Sequence, residues 1–207
     1  MAKRASAVLQ VETLVELLRE RADSLPDRVG YTYLRDGRTD EESLTYSELD
    51  RRSRTVAALL QSRVQPGDRV LVCHGPGLDY LAAFFGCLYA GVVAVPVYPP
   101  RFSQKLERLV ALVQDAAPRI ALTSQSISAT LYPLLAQNAA LSALEWIDSA
   151  ESSEFAPGEW RAPDLRAEDT AFLQYTSGSI ASPKGVVLTH SNLLANLQSI
   201  SGHVRCA

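Results

Sequence analysis

Cysteine is scarce. Cys73, Cys87 and Cys206 are the only three in 207 residues, too few and too widely spaced for a disulfide framework or a zinc site. A reducing, cytoplasmic setting is therefore expected. A basic excess is also missing: 20 Lys and Arg against 23 Asp and Glu give a formal charge of −3 and a pI near 5.6. That balance is wrong for a protein that tracks nucleic-acid phosphates, so no nucleic-acid partner is expected. No internal repeat or low-complexity tract interrupts the chain. With 47% hydrophobic and 21% charged residues it can bury a real core, which excludes disorder as the main state.

Long uninterrupted apolar runs are missing too. At the N-terminus, MAKRASAVLQVETL carries two basic residues, but Gln10 and Glu12 break its apolar stretch before any small-residue cleavage pattern. A secretory signal is not expected. From Tyr80 to Pro100 the chain has 21 residues without a charge, long enough on paper to cross a bilayer. Gly86 and Gly91 interrupt that run, and Pro96, Pro99 and Pro100 would break the last turns of a continuous helix. A buried helix followed by a buried strand accounts for the same residues, so no membrane span is read.

What is present alternates between two periods. Apolar residues at Val11, Leu14, Val15, Leu18, Ala22 and Leu25 follow the helical period, closed by Pro26. VGYTYLR at 29–35 predicts a strand, GRTDEE a turn, and a second strand ends at Leu44. Thr45 and Glu48 form a Thr-x-x-Glu capping box opening a helix that buries Leu49, Val56, Ala57 and Leu60. Strands over 69–73, 92–97, 119–123 and 144–147 then alternate with helices over 78–90, 104–116 and about 127–137. This is an α/β chain with a mostly parallel sheet flanked by helices. Residues 149–168 show no sustained period and are expected to be a surface connection between an α/β subdomain, 1–148, and a last segment, 169–207. In that segment a strand from Phe172 to Tyr175, a polar loop, a strand Val186-Val187-Leu188 and a helix from about Ser191 to Ser201 are predicted.

The polar loop carries the chemistry. Thr176-Ser177-Gly178-Ser179-Ile180-Ala181-Ser182-Pro183-Lys184-Gly185 combines four hydroxyls, two glycines and one lysine between two strands. Backbone N–H groups freed by glycine can wrap an anion, hydroxyls donate to phosphate oxygens, and lysine supplies a mobile point charge. A Walker A loop is not present: Lys184 follows Pro183 and precedes Gly185, and the residues beyond are strand-like rather than helical. From composition alone, a solvent-exposed hairpin connection explains the same residues, since Ser, Gly and Pro cluster in any turn.

QYTSGSIASPKGVVLTHSNLL, from Gln174, resembles the signature loop of the adenylate-forming superfamily, which includes acyl-CoA synthetases, peptide-synthetase adenylation domains and luciferases. LTYSELDRRS at 44–53 and LYAGVVAVPVYPP at 88–100 resemble further core motifs of that superfamily in the right order. The block from Pro76 to Pro100 is most similar to fatty acyl-AMP ligases. The resemblance implies ATP- and Mg2+-dependent conversion of a fatty acid to an acyl-adenylate. Transfer to the phosphopantetheine thiol of an acyl carrier protein, or of a polyketide or peptide synthase module, would follow. It assigns Thr176, Ser177, Gly178, Ser179, Lys184 and Gly185 to the loop around the ATP β- and γ-phosphates, with Lys184 the residue expected to act in catalysis. Ile180 and Ala181 replace the usual Thr or Ser and Gly.

The same resemblance places the adenine and ribose sites, the acidic magnesium ligand and the C-terminal lysine beyond the signature loop. The 207 residues are accordingly expected to be a truncated N-terminal portion of the AMP-binding large domain. Two alternatives stand beside the ligase: a non-catalytic remnant or binding module of the same fold, and an acyl-CoA synthetase. Truncation would leave Leu193, Leu194 and Leu197 exposed and prone to association. His190 reads as a cap, a packing residue or a ligand contact, and His74, at the carboxyl end of a strand, as a turn residue or a ligand contact. Cys73 and Cys87 read as buried thiols without a catalytic role, and Phe84, Phe85 and Tyr89 as core. Glu41-Glu42 and Glu151-Glu154 read as loop charges, with no paired-carboxylate or metal site.

Overall fold

The computed structural model describes residues 11–100, 104–135, 137–176 and 183–203. Helix α1 (Leu14–Ser24) starts later than the periodicity suggests, because Thr13 is its cap: the Thr13 hydroxyl accepts the Glu16 amide and Glu16 returns the favour to the Thr13 amide. Strands β1 (Val29–Leu34) and β2 (Glu41–Thr45) form an antiparallel hairpin. Glu41 and Glu42 belong to β2 rather than to the turn, and Glu42 pairs with Arg35 at 2.9 Å. Helix α2 (Tyr46–Gln61) opens on the expected Thr45/Glu48 capping box.

Strands β3 (Arg69–Cys73), β4 (Val93–Val97), β5 (Ile120–Thr123), β6 (Glu145–Asp148), β7 (Thr170–Tyr175) and β8 (Gly185–Thr189) build one sheet in the order β6-β5-β3-β4-β7-β8. All neighbours are parallel except β7 and β8. Helices α3 (Leu78–Ala90), α4 (Gln104–Ala116), α5 (Gln125–Leu135) and the single turn α6 (Ala139–Ser142) fill the connections. The run Tyr80–Pro100 is thus a buried helix and a buried strand. Gly91, at φ +73°, ends α3 in the left-handed conformation that a side chain would resist. Among the described residues no helix is long and apolar enough to cross a membrane.

After the exposed Arg69, strand β3 is apolar at every position, because Val70 and Val72 face a core shared with α1, α2 and α3, and Leu71 and Cys73 face a second core under α4, α5 and α6. A parallel strand covered on both faces cannot alternate apolar with polar. Helix α7 (His190–His203) closes the described chain. Leu193 and Leu194 pack against the first core, contrary to the expectation of exposure, because α7 lies back on α1. On the last two elements the apolar residues left open are Leu197 and Ile200 on α7 and Val186 and Val187 on β8.

Residues 149–168 contain two short 3-10 turns, Ser149–Glu154 and Pro157–Glu159, followed by a tryptophan with 9% of its surface exposed. The Trp160 indole N–H donates to the Tyr89 carbonyl at 2.7 Å, filling one of the carbonyls left free at the end of α3. Its ring lies 5.1 Å from the Tyr89 ring, with the guanidinium groups of Arg54 and Arg19 at 4.7 and 5.4 Å. Beneath it, Tyr89 donates to Asp50 at 2.7 Å, and Arg54 pairs with the same carboxylate.

Candidate functional site

Strands β7 and β8 end facing each other, with Tyr175 paired to Gly185. Because β7 is parallel to β4, the turn between them leaves from the carboxyl edge of the sheet, where open α/β folds place ligand sites. Its two feet are Thr176, just past β7, and Lys184-Gly185, at the start of β8; Thr176 and Lys184 are exposed. Among the described residues Lys184 has no ion-pair partner. Ser177, Gly178 and Ser179, together with Ile180, Ala181 and Ser182, lie outside the described residues.

Tyr175 anchors the turn from below. Its ring is buried in the core under α4, and its hydroxyl donates to the Asp115 carboxylate at 2.5 Å. Burial and that carboxylate push the Tyr175 phenol up to about 12. A Cβ on Gly185 would lie 2.9 Å from the ring's Cζ and 3.1 Å from its hydroxyl oxygen. With the hydroxyl tied to Asp115 the ring cannot swing aside. Gly185→Ala is therefore expected to cost about 1–3 kcal/mol of stability, read as a lower urea midpoint at unchanged slope. On the other foot, the Arg108 guanidinium of α4 donates to the Thr176 carbonyl at 3.2 Å.

His190, two per cent exposed, resolves to the capping role: its Nδ1 accepts the Leu14 amide at 3.3 Å, one of the free donors at the start of α1. Thr189 caps α7 itself, exchanging hydrogen bonds with Asn192. His74 is buried in the turn after β3, and its Nε2 has no hydrogen-bond partner among the described residues. Burial holds both imidazoles below the usual histidine value, against an opposing pull from Asp79 and Asp148 on His74 and from Asp169 and Glu16 on His190. The unfolded chain accepts these protons near pH 6.5 and the folded one resists them. Stability is thus complete above that pH and falls as the pH drops through it, until the folded imidazoles themselves protonate. The limiting slope is about 1.4 kcal/mol per pH unit for each proton taken up on unfolding. Denaturant titrations between pH 8 and 5 should show this fall, and His190→Gln should flatten it.

Burial pushes the Cys73 thiol up to about 12, and Cys87 is raised for the same reason; neither is poised as a nucleophile. A cleft of about 750 Å³ is lined by Arg51, Arg52, Asp79, Ser124, Asp148 and Ser152 among others, and no described residue of the β7–β8 turn contributes to it. The turn is taken as the candidate site because it carries the run of hydroxyls, glycines and lysine, and Lys184 has no ion-pair partner among the described residues, whereas the cleft's Arg52 pairs with Asp79 at 3.5 Å. The sequence did not reveal Tyr175, Asp115 and Arg108 as the turn's supports. Their contacts join residues 60 and 68 positions apart, which no local pattern records.

Residues 18–206 match the family model of AMP-binding enzymes. A medium-chain-fatty-acid–[acyl-carrier-protein] ligase, JamA of Moorena producens, is 39% identical over 189 residues, covering 89% of this chain and 32% of the relative. A long-chain-fatty-acid–AMP ligase of Mycobacterium tuberculosis, FadD23, is 35% identical over 191 residues, covering 91% and 33%. The crystal structure of a fatty acyl-adenylate ligase from Legionella pneumophila, in complex with acyl adenylate and pyrophosphate, superposes with a TM-score of 0.82 at 36% identity, covering 94% of this chain and 33% of that one. The chain spans about a third of the length of the curated relatives it matches. With its fold, its motif order and nearly its whole length in register with these proteins, the chain belongs to the AMP-binding enzyme family.

Proposed function

We propose that this chain supplies the phosphate-holding front part of an ATP-dependent fatty acid ligase. The observation that carries it is the β7–β8 turn: an exposed lysine with no ion-pair partner among the described residues, at the carboxyl edge of a parallel sheet, on a turn whose feet are fixed. In the reaction a fatty carboxylate oxygen forms a bond to the α-phosphorus of ATP, and the bond from that phosphorus to the oxygen bridging the α- and β-phosphates breaks, giving acyl-adenylate and pyrophosphate. Negative groups must approach one another, so the site's task is electrostatic. Lys184 offsets charge on the β- and γ-phosphates and holds the departing pyrophosphate, while Thr176, Ser177, Gly178, Ser179 and Gly185 line the loop with backbone and hydroxyl groups.

Among the described residues no group of three or more His, Cys, Asp or Glu side chains could hold a metal ion. Mg2+ is held chiefly by substrate phosphates together with one or two carboxylates; no residue of this chain is assigned as its ligand, and no step is routed through it. Acyl transfer to a carrier-protein phosphopantetheine thiol is supported by the acyl-carrier-protein ligase among the relatives, and coenzyme A is the alternative acceptor, supported by a relative that bears the name of a fatty-acid–CoA ligase. The two described cysteines are free thiols, which supports a cytoplasmic setting.

The test is mass spectrometry of products from ATP, a fatty acid and either coenzyme A or a phosphopantetheinylated carrier protein. It uses residues 1–207 grafted in place of the matching third of the Legionella ligase. Acyl-adenylate, followed by acyl transfer to the carrier, is the expected result. A folded, monomeric graft that forms no acyl-adenylate would leave the non-catalytic reading, and transfer to coenzyme A instead would establish the synthetase.

A further inference from the structure

Two side chains of α4 reach the feet of the β7–β8 turn from the same side. Arg108 and Asp115 are seven residues apart, two helical turns, and so share one face of α4. Arg108 donates to the Thr176 carbonyl at the outgoing foot. Asp115 accepts the Tyr175 hydroxyl, and the ring of Tyr175 is the surface on which Gly185, the returning foot, rests. The helix is tied in turn to the sheet, because Arg69 of β3 donates to the Ala116 carbonyl at 2.6 Å and Leu109, Leu112, Val113 and Ala116 are buried beneath it.

We propose that α4 is the positioning element of the phosphate loop, with Arg108, Asp115 and Tyr175 acting as positioning residues that set the separation and height of the loop's two feet. The inference rests on the phosphate-loop reading above. None of the three residues is assigned a contact with nucleotide. Their effect is transmitted through Thr176 and Gly185, the backbone positions that bracket the loop's donors, and a site that must meet phosphate oxygens tolerates little looseness at its base. Asp115 matters for its acceptor oxygen rather than for its charge. Asparagine should therefore replace it, whereas alanine should not.

Amide hydrogen exchange of the 207-residue chain tests this, read in peptides covering 170–176 and 183–189 beside the thermal midpoint. Tyr175→Phe and Asp115→Ala should speed exchange at both feet about three- to tenfold, with other strands and the midpoint close to wild type, and Asp115→Asn should retain wild-type protection. Arg108→Ala should loosen the 170–176 foot alone. Wild-type exchange at the feet in Tyr175→Phe and Asp115→Ala would overturn the proposal. So would faster exchange across the whole sheet with a lower midpoint, which is the mark of a merely structural role. A second arm adds millimolar ATP and a fatty acid to the Legionella ligase carrying residues 1–207 as a graft, whose remaining two thirds supply the rest of the nucleotide site. Added protection at the feet supports the phosphate-loop reading, and its absence, while the variants still loosen the feet, overturns that reading and not the anchoring.

Discussion

Trp160→Ala is expected to destabilise the protein by about 3–5 kcal/mol, the cost of removing a large buried aromatic and leaving a cavity. The indole lies against Tyr89, under two guanidinium groups, and fills the Tyr89 carbonyl. Alanine would remove the ring contacts and leave that carbonyl without its donor, close to the buried Asp50–Arg54–Tyr89 network. Trp160→Phe separates the two contributions: it keeps most of the ring and loses the hydrogen bond, for about 1–3 kcal/mol. Urea unfolding monitored by circular dichroism measures both. A loss below about 1 kcal/mol in the alanine variant would show that residues 149–168 are a loose connection and that the indole clamp contributes little.

Lys184→Ala is expected to slow fatty-acid-dependent ATP–pyrophosphate exchange by about 10²-fold, the effect of deleting one preorganised charge-stabilising donor, measured in the grafted ligase. Because Lys184 is exposed and has no partner among the described residues, the substitution should leave stability within about 0.5 kcal/mol. A loss of exchange without a loss of stability separates a phosphate contact from a structural residue. Lys184→Arg should recover part of the rate, since it restores the charge but not the compact ammonium.

The two residues differ in how visible they are in the sequence. Lys184 stands in a cluster of hydroxyls and glycines whose composition suggests phosphate and whose wording resembles a family motif, so the candidate site is proposed from local sequence. Trp160 sits in a stretch with no period, and its partner Tyr89 is 71 residues away; nothing nearby marks it as buried. The alternation of strands and helices was legible because β3, β4 and β5 each carry an unbroken apolar run, Val70–Cys73, Val93–Val97 and Ile120–Leu122, and Thr45 with Glu48 announces α2. The packing of α7 was not. Its Leu193 and Leu194 are covered by a fold-back on α1, fixed by a bond from the Leu14 amide to His190 across 176 positions. The contacts of Asp115 and Arg108 with Tyr175 and Thr176 at the feet of the β7–β8 turn are of the same long-range kind.

The most direct test is where nucleotide protects the backbone. Amide exchange of the grafted ligase, with ATP and a fatty acid against neither, should show its largest slowing within this chain at residues 170–176 and 183–189, and Lys184→Ala should remove most of it. Protection centred instead on the cleft of Arg51, Asp79, Ser124 and Asp148, with the β7–β8 feet unchanged, would contradict the assignment of the phosphates to this turn.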